Sequence, residues 1–268
     1  TAYGVHIHLD RARLRERLVR QGHGDASTLA NELENDFRLA LYRDRHCLPA
    51  LRSLLAAALA KKDPQQVATL SKNAAEQFAA AGDLPGYETG DARSAAVFYL
   101  HTAEAKVQAG LSTEEVIESY GAALKLVPDL VPALRGLLHY AILHQEFATV
   151  ADAAEGLASS LHDPDERYLH YMLAGVVSQE LLKDIARARR ALAAGLRLQP
   201  NRDEAFERLR VSYNSHPSAA GNAKALADLL SERLQNSDDP PAQKSNLRLE
   251  LAQLLLGPLA DRPRARAE

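Results

Sequence analysis

Ten histidines and a single cysteine, Cys47, are the side chains of this 268-residue sequence with the widest chemical reach. The sharpest pair is His6-Ile7-His8. On an extended strand alternate residues share a face, so two imidazoles there could pincer a metal. The stretch YGVHIHL, residues 3–9, alternates in the required way and reads as an extended tail. No cysteine or carboxylate stands at ligand spacing beside it, so an ordinary terminal segment is preferred and no metal site is assigned. His139 and His144 are five apart on an expected helix, about 500° of rotation, and do not share a face. His46-Cys47 lies beside a helix start, where a cation could lower a thiol pKa. Lacking an orienting Asp or Asn and a Gly-rich oxyanion element, Cys47 reads as a small packing residue rather than a nucleophile.

Phosphate loops, dinucleotide fingerprints, HExxH and GxSxG are all missing from the sequence, and Gly22-His23-Gly24 is too short to cradle a phosphate. The pair Glu114-Glu115 is explained by a helix N-terminus, where the dipole favours anions. The expectation is a non-enzymatic protein with no catalytic residue, no cofactor and no metal.

Charge narrows the partners. The net charge of −3 gives no reason to expect nucleic acid or an anionic membrane. Arg187, Arg190 and Arg197 fall on one side of an expected helix, and Arg11, Arg13, Arg15, Arg17 and Arg20 crowd another. Both stripes read as solvated outer faces, or else as docking surfaces for an acidic protein. No aromatics interleave with them, which disfavours nucleic acid. The longest apolar runs, such as LLAAALA at 54–60, are far too short for a membrane span, and Thr1 leads straight into an Arg-studded segment unlike a signal peptide. One cysteine suits a reducing compartment, so a cytoplasmic, non-inserted protein is expected. The only Met is Met172 and DRPRARAE ends where a helix should start, which suggests a piece of a longer chain; the Ala- and Arg-rich composition suggests a bacterial one.

The elements that position these residues are helices. Apolar residues are mostly Ala and Leu, with no Trp and only five Phe, a mixture that favours close helix packing over sheets. Asp63-Pro64-Gln65-Gln66 and Asp163-Pro164-Asp165-Glu166 place an Asp cap before a Pro at the first helical position, and Ser112-Thr113-Glu114-Glu115 forms a Ser-x-x-Glu capping box. Thirteen helices are expected, near 9–21, 26–43, 48–60, 64–81, 91–109, 113–126, 130–144, 147–160, 165–181, 185–198, 203–214, 219–236 and 242–256. The phrase LPALRSLL at 48–55 returns as VPALRGLL at 131–138, 83 residues on. GAALKLVPD at 121–129 returns as AAGLRLQPN at 193–201, an offset of 72, or two units of 36. The longer offset is then two units plus an insertion, the Gly- and Pro-rich GDLPGYETGD at 82–91.

Val116-x3-Tyr120-x2-Ala123-Leu124-x-Leu126-x-Pro128 resembles the second helix and closing Pro of a tetratricopeptide repeat, and Ala188-x3-Leu192-x2-Gly195-Leu196-x-Leu198-x-Pro200 is similar. Leu134, Leu137, Leu138 and Ala141, then Phe206, Leu209 and Tyr213, suit its first helix. The aromatic opening and the Leu-Gly pair of the family are mostly missing, so these are degenerate repeats of the kind found in large bacterial scaffold proteins. The match covers about 97–236, and about 48–81 through the PALR phrase. The resemblance implies an all-α, right-handed α-solenoid of stacked antiparallel helix pairs. It divides the chain into a divergent helix pair at 1–45, repeats over 46–240 (about 48–81, 91–130, 131–163, 165–200 and 203–236) and the start of a further repeat at 241–268. Such pairs cannot stand alone, and they gain stability from their neighbours.

In that family first helices line a concave face that takes peptides or partner helices. The register puts Arg52 and Ala56, His101 and Ala105, Arg135 and His139, Leu173 and Val177, and Glu207 on it. A groove basic at one end and aliphatic further along suits a partner with an acidic and an apolar anchor. The resemblance thus implies a scaffold or adaptor for protein partners, for instance in a motility, secretion or envelope machine. Its rivals are an effector for a small GTPase in motility or polarity control, and the substrate-docking or regulatory module of an enzyme whose catalytic domain lies elsewhere in a longer chain.

Overall fold

A computed structural model of the chain describes residues 2–23, 25–45, 47–80, 92–215, 220–236 and 238–266. All regular structure among them is helical, fourteen helices in place of thirteen, the last a single turn. They fall into two compact units, Thr1–Gly136 and Leu137–Glu268, divided within one helix. In each unit the helix pairs in substantial contact are neighbours in the chain.

The first unit holds α1 (Ala2–Arg20), α2 (Ala26–Arg43), α3 (Leu48–Ala60), α4 (Pro64–Ala80), α5 (Ala92–Gln108), α6 (Thr113–Leu126) and the start of α7 (Val131–Leu143). The second holds the rest of α7, then α8 (Phe147–Ser160), α9 (Pro164–Glu180), α10 (Ile185–Leu198), α11 (Asp203–Asn214), α12 (Ala220–Asn236), α13 (Pro241–Leu256) and α14 (Arg262–Ala265). From α2 to α13 the ends agree with the spacing-based expectation to within a residue. Residues 3–9 do not. They belong to α1, because Val5, Leu9 and Ala12, at three- and four-residue spacing, are the positions that reach the core. Val5-Ile7-Leu9 also fits a two-residue period, but Ile7 is left 47% exposed, so the helical period prevails. The insertion expected at 82–91 lies outside the described residues.

Two alternating kinds of link write a two-helix period into the backbone. After α1, α3, α5 and α7 the chain passes through a left-handed residue, namely Gly22, Lys62, Gly110 and Gln145. In each case the next amide donates to the carbonyl five residues back: His23 to Leu18, Asp63 to Ala58, Leu111 to Lys106 and Glu146 to Ala141. These are Schellman turns, which satisfy the orphan carbonyls of the helix end. After α2 the chain instead leaves in an extended conformation at Asp44, and after α6 and α10 through the non-helical residues Val127 and Gln199. Val127 and Gln199 precede Pro128 and Pro200, whose rings push them out of the helical region.

The repeated phrases occupy matching environments. Ala50 and Ala133 are wholly buried, Leu51/Leu134 and Leu54/Leu137 face the core, and Arg52 and Arg135 face out. Close packing depends on small residues. A Cβ on Gly136 would lie 2.7 Å from the Tyr120 hydroxyl oxygen, and one on Gly175 2.7 Å from Leu192. The cores follow from the stripes these pairs share: Phe37, Ala40, Ala50 and Leu54 in the first unit, and Leu192, Phe206, Leu209, Leu226 and Leu230 in the second.

Candidate partner-binding groove

The first unit carries a recess of about 440 Å³ where α3, α4 and α5 meet. On α3 the face from Ala50 through Leu54 to Ala58 is spent on the core. The stripe beside it, Arg52, Leu55 and Leu59, spaced by three and four, forms one wall. Val97, Phe98 and His101 of α5 form the other, and Val67 and Ser71 of α4 lie between. Phe98 is held by a stacked contact with Phe78, ring centroids 5.5 Å apart. Leu59 is 61% exposed at the edge of this wall.

The rim is polar. Arg52 enters no hydrogen bond or ion pair among the described residues. The His101 ring lies 3.2 Å from a Glu104 carboxylate oxygen, both half exposed. The recess is therefore apolar in depth, with one unpartnered guanidinium and one His–Glu pair at its mouth.

Of the residues expected on the binding face, Arg52 and His101 meet here, and Ala105 lines the same recess although it is buried. Arg135 and His139 are exposed on α7 but are not part of it. Leu173 is half buried. Val177 is only 6% exposed, buried on α9 beside Ala174 one turn before it, so it is corrected to a core residue. Glu207 is exposed and paired with Arg210 at 3.0 Å. A recess of about 430 Å³ in the second unit lies elsewhere, between α10, α11 and α12, with Leu209 and Leu229 on its floor and Arg197 and Glu232 on its rim. A further one between α2, α3 and α4 is flanked by Arg38, Arg45 and Tyr42, which is 82% exposed.

The arginine stripes divide. Arg190 and Arg197 are exposed as expected. Arg187 is not part of a solvated face: it crosses from α10 to α8, donating to Glu155 at 3.0 Å and Asp152 at 2.6 Å. Both carboxylates hold its pKa above the ordinary arginine value, Glu155 foremost. Arg15 likewise turns inward to Asp36, a buried carboxylate on α2, and to Glu32 at 2.9 Å. The extended geometry that a His6–His8 pincer would need is not present, since the two lie on α1 and on a helix residues two apart are rotated by about 200°. His46 and Gly24 lie outside the described residues. Cys47 is a core residue beside Ala50 and Leu54, and burial, aided by Asp44, pushes its thiol pKa up, away from the reactive range.

Sequence reasoning missed three contributors. Leu59 and Val97 look like ordinary helix positions until their neighbours are placed. Ser71 left a signal, a hydroxyl four residues after Val67 on an otherwise apolar stripe. It also missed Arg233, 3% exposed, which donates to Asp239, Asp203 and the Pro200 carbonyl while lying over Phe206. No helix among the described residues is long and apolar enough to cross a membrane. The sequence matches no protein-family model and no curated protein.

Proposed function

We propose that this chain is a protein-binding scaffold or adaptor module, built from degenerate tetratricopeptide-type helix pairs, that acts by binding rather than by chemistry. Its α3–α4–α5 groove receives a partner segment carrying an apolar anchor and an acidic residue. The observation that carries this is the meeting of Arg52, unpartnered among the described residues, with Leu55, Leu59 and Val97 around one open recess. An apolar floor supplies affinity, and a rim charge supplies orientation and association rate. The repeat assignment is supported by the alternating Schellman and pre-proline links and by the matched burial of the repeated phrases.

The test is comparative capture from a lysate of the organism the chain comes from, using the whole chain and three variants. Proteins retained by the wild type and by Arg190→Glu, but lost from both Arg52→Glu and Leu59→Asp, are the expected result. Unchanged retention by Arg52→Glu and Leu59→Asp, with helicity preserved by circular dichroism, would remove the groove from the proposal.

A further inference from the structure

An apolar anchor alone leaves one atom of the α3–α4–α5 recess unexplained. Ser71 lines it and is 1% exposed, and its hydroxyl has no hydrogen-bond partner among the described residues. Ser178 of α9 is likewise buried and unpartnered among the described residues, but three other helical serines avoid this by donating to the carbonyl four residues back: Ser119 to Glu115, Ser160 to Gly156 and Ser231 to Ala227. Ser71 does not, and a buried hydroxyl without a partner is a cost that an incoming polar atom would remove. Around it stand Leu55, Val67, Val97 and Phe98, and at the mouth stands Arg52.

We infer that the recess takes a tyrosine side chain presented by a partner polypeptide, its phenol paired with Ser71 and a carboxylate of the same segment paired with Arg52. This rests on the proposed function and adds the identity of the anchor. Leucine or phenylalanine would fill the walls but seal Ser71 away unpaired. Asparagine or glutamine would bring a whole amide against apolar walls that can satisfy only one of its groups. A phenol both donates and accepts, so it meets the serine hydroxyl in either orientation, and its ring packs on Phe98. Glu104 is already engaged with His101, which leaves Arg52 as the cation awaiting an acid.

The experiment uses the full chain, isotope-labelled, and follows amide shifts during titration with a capped twelve-residue peptide carrying Glu and Tyr four positions apart. Its Tyr→Phe twin and free 3-(4-hydroxyphenyl)propanoate are titrated alongside. Expected are shifts centred on Leu55, Ser71, Val97 and Phe98, with the tyrosine peptide binding about three- to tenfold tighter than its twin, the range of one net hydrogen bond. That preference should vanish in Ser71→Ala and in Ser71→Cys, which keeps the volume, while Arg52→Gln should weaken both peptides alike. Equal binding of the two peptides in the recess overturns the tyrosine anchor and leaves the groove standing for an apolar one. Shifts elsewhere, or none at millimolar peptide, overturn the groove as well. Binding of the free acid as tight as the peptide overturns the polypeptide occupant in favour of a small phenolic acid.

Discussion

Ser112 and Glu115 show how far a four-residue pattern reaches. The serine hydroxyl accepts from the Glu115 amide while the carboxylate accepts from the Ser112 amide and hydroxyl, the box legible in Ser-x-x-Glu. These bonds, the serine side chain first, hold the Glu115 carboxyl below its ordinary value of 4.5. The folded pKa is the lower one, so the stabilisation is complete above the unfolded value and is lost as pH falls through the folded value. Carboxyl titration by NMR should place Glu115 below 4.5 and return it towards that value in Ser112→Ala. Arg233 is the opposite case. Its partners Asp203 and Asp239 lie 30 residues before and 6 after it, and nothing local marks them. Removing a buried cation takes the guanidinium away from Asp239, itself nearly buried. Arg233→Met should cost about 3–5 kcal/mol in denaturant unfolding. A cost below about 1 kcal/mol would mean that the network is decoration.

Helices and their links are where sequence and structure agree most closely. Pro128 and Pro200 announce the end of a second helix because a ring that excludes the preceding residue from the helical region acts within a dipeptide. The Schellman turns are half legible. Gly22 and Gly110 are natural left-handed residues, but Lys62 and Gln145 occupy the same conformation against their own preference. Replacing either by glycine should therefore stabilise the chain by roughly 1 kcal/mol, whereas Lys61→Gly, one residue earlier in right-handed geometry, should destabilise it. Thermal melts of the three variants check the sign. Gly136 is fixed by packing rather than by backbone. A methyl there must displace the Tyr120 ring, so Gly136→Ala should cost about 1–3 kcal/mol, and an unchanged melting temperature would show that the ring has somewhere to go.

Across each unit, contacts run between chain neighbours, so stability is expected to be a sum of local interfaces rather than one cooperative core. Leu192, wholly buried between α9, α10 and α11, offers a measurement. Leu192→Ala should cost about 2–5 kcal/mol and raise hydrogen exchange in those three helices. Amides of α13, in the same unit but further along the chain, should change much less. Uniform acceleration through α13 would indicate that the second unit opens as one body. Arginines that bridge helices join elements that lie farther apart in sequence, as Arg187 joins α10 to α8 and Arg210 joins α11 to Glu250 of α13 at 3.0 Å. Each is expected to strengthen coupling only over its own span.

The helices, their caps and their two-helix period were determined by sequence alone, because each depends on residues within about a turn or on a spacing that recurs. Tertiary structure decided the facing of every side chain that had two plausible sides. It turned Arg187 and Arg15 inward to carboxylates on other helices, buried Val177, and made residues 3–9 helical by giving Val5 and Leu9 a core to enter. It also made the recess, since Arg52, Ser71 and His101 come from three helices and share no local pattern. Periodicity specifies which stripe of a helix is apolar; the angle at which its neighbours meet that stripe determines what remains open to a partner.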